Sequence, residues 1–430
     1  MLNLPKDFEQ DMKDILKEEY SSFLLSYDKP SFKGLRLNTI KIKDSSLLPF
    51  NLTNIPWCKT GYYYSEQDTP GKHVYHEMGL YYIQEPSAMA PVEELDVQEG
   101  DFVLDLCAAP GGKSTQIAAK LNGTGLLISN EIIPSRAKIL SSNIERMGIK
   151  NAICLNEDPK NVAKHFKNFF DKILIDAPCS GEGMFRKNEE AISEWSKDNV
   201  IMCANRQLDI LETIYPSLKD GGRIVYSTCT FSKEENEGVI EKFLSNHPEF
   251  HLVKPINTFK GDLMQRIYPH LVNGEGHFFA ILQKDGSLQK SEIKIKDLKQ
   301  DPAFLDFKKK YLNVDIKYNL KFGDNLYLSP YVNLDGLKVV RAGLHLGELK
   351  KNRFEPSHSL ALALSSQDFK NVINLSSQDK EVTTYLQGNS IPTDINGWGI
   401  VAVDGYPLGL IKGDGYQAKN HYPKGLRIDF

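Results

Sequence analysis

Between residues 102 and 230 the chain alternates strand-like and helix-like text, and this alternation restricts it to very few architectures. FVLDLCAA (102–109), GLLISNE (125–131), AICLNED (152–158), KILIDAP (172–178) and GRIVYSTCT (222–230) are short β-branched and apolar runs, each ending in small or polar residues. Between most of them lie helical patterns: KSTQIAAKL, then SRAKILSSNIERMG with Gly148 suited to the position just past a helix end, then a long one around NVIMCANRQLDILETIY. A βαβα repeat predicts an α/β fold, a Rossmann-like parallel sheet with helices on both faces. It also places ligands at the carboxyl ends of the strands, so the functional residues are expected where these segments stop.

The flanks read differently. Residues 1–20 place apolar groups among charges at helical spacing, which describes an amphipathic helix and not a signal peptide or membrane span. After residue 285 the Lys/Asp-rich KDGSLQKSEIKIKDLKQDP reads as a linker. Beyond about 320, short strands broken at Gly323-Asp324, Asp335-Gly336, Asp404-Gly405 and Gly413-Asp414-Gly415 suggest a small β-rich domain. The expected division is therefore 1–80, an α/β domain at 81–285, a linker at 286–320 and a C-terminal domain at 321–430. Six cysteines with no C-x-x-C pair and no close Cys/His spacing argue against structural zinc or a disulfide framework. A reducing cytoplasm, no metal and a monomer are expected. The net charge of -4 does not advertise a nucleic-acid binder. Its distribution is more informative: acids exceed bases in the first hundred residues and bases exceed acids after 285, with Lys412, Lys419, Lys424 and Arg427 as the candidate phosphate-binding run.

DLCAAPGGK (105–113) follows the first strand and opens a helix, so small residues and free helix N–H groups meet at one point. The second strand ends in Glu131, placed to hold a ribose diol, and the third in Asp158, placed to accept from an adenine amino group. Together they describe a nucleoside-bearing ligand across the sheet edge. S-adenosylmethionine fits better than NAD, because AAPGGK is not the G-x-G-x-x-G loop that cradles a pyrophosphate, and there is no G-x-x-x-x-G-K-[ST] run.

The fourth strand ends Asp176-Ala177-Pro178-Cys179 and the fifth Ser227-Thr228-Cys229. A single cysteine is by default a small buried hydrophobe; two at neighbouring ligand-edge positions are a different matter. Cytosine C5 is a poor nucleophile until a thiolate adds to C6, and a second thiol could then assist release. Asp176 could hydrogen-bond the N3/N4 edge of the base and stabilise charge developing on the ring. Spacing alone leaves open which thiol attacks. The target base must be unpaired or flipped out of a helix. Tyr81, Tyr82, Phe185 and Trp195 are available for stacking, although most aromatics are core.

The stretches DLCAAPGGKSTQIA, NEIIPSRAKILSSNIERMG, DKILIDAPCSGEGMFRK, GGRIVYSTCTFSKEENEGVI, RIYPHLVNGEGHFFAIL and YYIQEPSAMAP resemble the Sun-type RNA cytosine-C5 methyltransferases over roughly residues 80 to 285. The resemblance implies that Cys229 is the nucleophile and Cys179 assists release. It implies cofactor contacts from Cys107, Ala108, Ala109, Pro110, Gly111, Gly112, Lys113, Glu131, Asp158 and Asp176, with Arg136 as a further contact. GWGIVAVDGYPLGLIKGDGYQAKNHYPKGLRI (397–428) looks like the C-terminal RNA-binding domain of the RsmF-like subgroup, which implies 16S rRNA, in its decoding region, as substrate. Related paralogues use tRNA or other rRNA sites. LRLNT (35–39) matches the same subgroup and implies a small N-terminal α+β module facing RNA. A non-catalytic ribosome-assembly factor would have no need of both thiols.

Overall fold

A computed structural model describes residues 4–187, 189–292, 297–330 and 332–428, apart from the side chain of Glu189; part of the expected linker lies outside them. Its centre is a nine-stranded sheet built from β1 (Phe102–Asp105), β2 (Leu126–Asn130), β3 (Ala152–Leu155), β4 (Phe170–Asp176), β5 (Leu218–Thr228), β6 (Phe250–Leu252), β7 (Met264–Ile267), β8 (His277–Lys284) and β9 (Val339–Ala342). The order is β6-β8-β5-β4-β1-β2-β3-β9, with β7 paired to β8. β1 to β5 run parallel, and β8 enters antiparallel to β5.

Helices follow where apolar spacing changes from two to nearly four: α1 (Gly112–Leu121), α2 (Pro134–Arg146), α3 (Pro159–His165), α4 (Lys197–Ile214) and α5 (Glu237–Asn246). Alternate strand residues feed opposite layers. Val103, Leu127, Leu174 and Val225 pack with Ile117 and Leu121 of α1 and Leu140 and Ile144 of α2. Leu104, Ile128, Ile173 and Ile224 pack with Val162 of α3, Leu211 and Ile214 of α4 and Phe243 of α5. Pro134 opens α2, and Gly148 closes it at φ 71°, a left-handed conformation that costs glycine little. The chain winds from β1 out to β3, then returns to build β4 and β5 on the other side of β1. A crevice therefore opens between the carboxyl ends of β1 and β4.

The N-terminal helix Lys6–Leu16 buries Phe8, Met12 and Leu16, one per turn, against Phe185, Trp195 and Phe231 of the central domain. A four-stranded sheet follows, ordered Leu52–Ile55, Cys58–Tyr64, Gly34–Leu37, Tyr81–Ile83. The LRLNT segment turns inward. Arg36 is fully buried and donates to Gln84 Oε1 at 3.1 Å and Thr115 Oγ1 at 2.7 Å, while Asn38 Nδ2 reaches Met147 O at 2.8 Å. These residues fasten the module to α1 and the end of α2.

The stretch expected as a linker contains the helix Pro302–Tyr311, capped by Asp301 and seated by Phe304 and Phe307. The last third holds two sheets and also contributes β9. One sheet has four strands between Leu320 and Pro356, and the other has five between Val372 and Asn420. In the second, Asp404-Gly405, both at positive φ, joins Asn396–Val403 to Tyr406–Asp414 as a tight hairpin. Val401, Val403 and Ile411 of that sheet pack on Leu35, Leu37 and Tyr81 of the N-terminal sheet, so the two ends of the chain share a core. Among the described residues no helix is long and apolar enough to cross a membrane.

Candidate active site

The crevice at the switch point deepens into a cavity of about 580 Å³, a size suited to a nucleoside-bearing ligand. Cys107 and Ala109 line it after β1, Glu131 and Ile132 after β2, Asp158 and Pro159 after β3, Asp176 and Cys179 after β4, and Cys229 after β5. Arg136 of α2 closes one side, with Nη1 3.5 Å from Glu131 Oε2 and Nη2 donating to Ala109 O at 2.9 Å. Glu131 is fixed from below by the Ile133 N–H, 2.9 Å from Oε1. Acceptors at Glu131 and Asp158, with Ile132, Pro159 and Ile210 as apolar walls, suit the ribose hydroxyls, amino group and ring of an adenosyl group.

At the other end of the cavity two thiols face each other, Cys179 Sγ 3.3 Å from Cys229 Sγ. The Cys179 thiol is raised well above its ordinary range by its contact with Cys229 and by burial. Asp176 lies alongside. Its Oδ2 accepts from Lys113 Nζ at 2.8 Å, its Oδ1 accepts from Ser227 Oγ at 2.9 Å, and His277 Nε2 stands 3.6 Å away. Burial pushes the Asp176 carboxyl up, but the Lys113 ammonium and His277 more than offset this and hold it well below the usual carboxylate range. Lys113 is raised in turn, desolvation being outweighed by Asp176. The pair is ionised and locked at neutral pH.

Of the residues expected to bind the cofactor, Cys107, Ala109, Glu131, Asp158 and Asp176 line the cavity together with Arg136. Ala108, Pro110, Gly111, Gly112 and Lys113 do not. Ala108 is buried in the core, Pro110 O accepts from Asn143 Nδ2, and Gly111 and Gly112 form the start of α1 against Leu140 and Tyr82. Lys113 is turned to Asp176. Asp158 has a structural task as well, since its Oδ1 caps α3 through Lys160 N at 2.8 Å. Sequence reasoning missed the wall supplied by α4, where Arg206, Asp209, Ile210 and Thr213 face the cavity at helical spacing. Their i, i+3, i+4, i+7 pattern is visible in the sequence, but nothing there says which face meets the site. His277 was also missed, because it arrives on β8 from far along the chain. Tyr81, Tyr82, Phe185 and Trp195 are all buried and do not offer a stacking surface. In the C-terminal sheet Lys412 and Lys419 pair across neighbouring strands, both exposed, with Lys412 Nζ 5.4 Å from the centre of the Trp398 ring. Lys424 and Arg427 are exposed as well.

Asp105, fully buried beneath the loop, accepts from Ser114 Oγ at 2.6 Å, and its Oδ1 has no partner among the described residues. Burial pushes its carboxyl up from 3.8 to about 7. Between those values the folded chain keeps a proton that the unfolded chain has lost, so its stability falls as pH rises and then levels off. Asp105→Asn removes that dependence. Thermal melts should show the variant's melting temperature rising relative to the native chain by a few degrees from pH 4 to 7 and no further. A pH-independent difference would contradict this.

The parallel core, the antiparallel β8 and the cavity at the switch point together define a Rossmann-like methyltransferase fold. A methyltransferase homolog from Pyrococcus horikoshii superposes with a TM-score of 0.60 at 29% identity, covering 66% of this chain and 96% of that one. NSun6 from the same organism superposes at 0.58 and 23% identity, over 66% and 99%. Residues 92–283 match the family described as 16S rRNA methyltransferase RsmB/F. Residues 4–86 match the N-terminal domain of 16S rRNA methyltransferase RsmF, 306–364 its first C-terminal domain and 370–428 its PUA domain. Ribosomal RNA small subunit methyltransferase F of Vibrio vulnificus is 33% identical over 99% of this chain and 98% of its own length. The Shewanella oneidensis protein of the same name is 33% identical over 95% and 93%. The chain belongs to the RsmF family of 16S rRNA methyltransferases, within the Sun type.

Proposed function

We propose that the protein methylates C5 of cytosine in 16S rRNA, in its decoding region, through a covalent bond between Cys229 and C6 of the base. The observation that carries the reading is the pair of thiols 3.3 Å apart beside an ionised Asp176, at the rim of a nucleoside-sized cavity. Glu131, Asp158, Arg136 and the backbone at Cys107 and Ala109 are the groups that would hold S-adenosylmethionine, which supplies an electrophilic methyl group when bound. Asp176 orients the cytosine by accepting from its N4 amino group and, tied to Lys113, keeps that orientation without moving. The Cys229 thiolate adds to C6, which makes C5 nucleophilic. Once C5 is methylated, the C5 proton leaves to a solvent base with the Cys179 thiol assisting, the C5–C6 double bond reforms, and the C6–S bond breaks to return Cys229 as a thiolate. The exposed Lys412, Lys419, Lys424 and Arg427 on the PUA-type sheet suit contact with RNA phosphates.

The test is twofold. Purified protein should transfer labelled methyl groups from S-adenosylmethionine to 16S rRNA or small subunits and not to tRNA. Bisulfite sequencing of total RNA from a strain lacking the gene should lose protection at decoding-region cytosines. Loss at tRNA positions instead would refute the substrate assignment.

A further inference from the structure

Cys179 and Cys229 sit on two loops that are bound together by buried carboxylates for which the chemistry above has no use. Glu235, just ahead of α5, is fully buried. It accepts from Ser180 N at 3.0 Å, from Ser180 Oγ, and from Gln207 Nε2 at 2.8 Å. Gln207 Nε2 also donates to Pro178 O at 3.0 Å, so the residues on both sides of Cys179 are anchored to one pair of side chains. Glu182, 3% exposed, serves the other loop and accepts from Phe231 N at 2.8 Å and Trp195 Nε1 at 2.9 Å. The loops are also joined directly. Gly183 N donates to Cys229 O at 2.8 Å, and Ser180 Oγ lies 2.9 Å from Thr230 Oγ1. A Cβ at position 183 would stand 2.9 Å from the Cys229 carbonyl oxygen, so only glycine permits this approach.

Burial raises both carboxyls, Glu182 to about 7. A buried carboxylate met only by neutral donors is costly to keep, and nearly all of these donors belong to the cysteine loops or the helices behind them. Neither residue lines the cavity.

We propose that Glu235 and Glu182 are positioning residues that hold the Cys179 and Cys229 loops in one frame, so that the releasing thiol stays beside the attacking one. The proposal rests on the covalent reading above. The two carboxylates divide the task. Glu235 grips the loop of Cys179, and its loss should delay release. Glu182 grips the loop of Cys229, and its loss should weaken addition. Glutamine in place of either keeps the volume: at 182 it leaves the Phe231 N–H or the Trp195 indole N–H without an acceptor, and at 235 it removes the charge that strengthens the bonds from Ser180 and Gln207.

The full chain is assayed on a 16S rRNA transcript for single-turnover methyl transfer and for a protein–RNA adduct stable on a denaturing gel. Glu235→Gln should leave transfer within about twofold and lengthen adduct lifetime about tenfold, the rate equivalent of one lost charge-assisted hydrogen bond. Glu182→Gln should instead slow transfer about tenfold without adduct build-up. Should Glu235→Gln fail to fold, Ser180→Ala removes only the hydroxyl link and carries the same expectation. Equal loss of transfer and release in the Glu235 variants would overturn the proposal, since a merely structural role lowers both. RNA containing 5-fluorocytidine, which cannot lose a proton from C5, separates the two failures. If the native chain forms no adduct with it, the covalent reading itself falls. If that adduct forms yet Glu235→Gln accumulates none on ordinary RNA, only the positioning role falls.

Discussion

Replacing Cys229 by alanine should lower methyl transfer by more than about a thousandfold while cofactor affinity stays near that of the native chain. The asymmetry follows from the site. The adenosyl-binding groups at Glu131, Arg136 and Asp158 lie toward β2 and β3, whereas Cys229 closes the opposite end of the cavity. Removing one sulfur leaves the first set intact and abolishes the activation of C5. Cys179→Ala should give the contrasting phenotype. Addition and methyl transfer proceed, release is no longer assisted, and an RNA-linked protein accumulates as a shifted band on a denaturing gel. The 3.3 Å separation of the two sulfurs makes the contrast sharp, because either thiol could reach the same carbon and only the phenotype assigns the roles. An adduct formed by the Cys229 variant in place of the Cys179 variant would exchange them, and normal turnover by Cys229→Ala would remove both.

Asp176→Asn should be the most damaging substitution of a group that forms no covalent bond. It leaves the buried Lys113 ammonium without its counter-charge, which costs on the order of 3 kcal/mol, and it turns one of the two acceptor oxygens expected to serve Lys113, Ser227 and the base into a donor. Methyl transfer should fall about a hundredfold or more. Adding Lys113→Met should recover most of the stability, because no buried charge is then unpaired, but little of the activity. Acid melts provide an independent check. The folded carboxyl lies below its ordinary 3.8, so its contribution is present above that value and is lost as pH falls through the folded one. The Asp176→Asn protein should therefore show a shallower decline in stability below about pH 4 than the native chain. An identical acid limb, or a double variant as unstable as Asp176→Asn alone, would show that the pair does not stabilise the fold.

The legible part of the molecule was the part whose physics is local. The β1 to β5 segments and their helices follow from apolar periodicity, and the strand ends that carry Glu131, Asp176, Cys179 and Cys229 follow from the rule that parallel sheets bind ligands at their carboxyl edges. What the sequence concealed depends on contacts between distant segments. LRLNT reads as a family match and says nothing of where Arg36 packs, yet that side chain lies buried against α1, 79 residues from its partner Thr115. Lys113 reads as part of the cofactor loop, yet its ammonium is taken by Asp176. The Lys/Asp-rich stretch after 285 looked like a tether, yet an Asp301 cap and a Phe304/Phe307 face made a docked helix of its last part. Glu182 and Glu235 passed unnoticed because a glutamate in a loop carries no sign of burial until the loops around it are placed.

β9 reaches the sheet from residues 339–342, far beyond the catalytic stretch, and covers β3, which would otherwise be the last strand on that side. Arg341 on it forms an ion pair with Glu145 of α2 and donates to Ser141 Oγ at 3.1 Å. The catalytic unit is thus finished by a segment that sequence reasoning places in a different domain. A fragment cut at residue 285 would present the open edge of β3 to any passing strand and would be prone to self-association. Exchange of C-terminal modules between relatives is constrained in the same way: a graft has to carry its own closing strand or join the chain beyond residue 342.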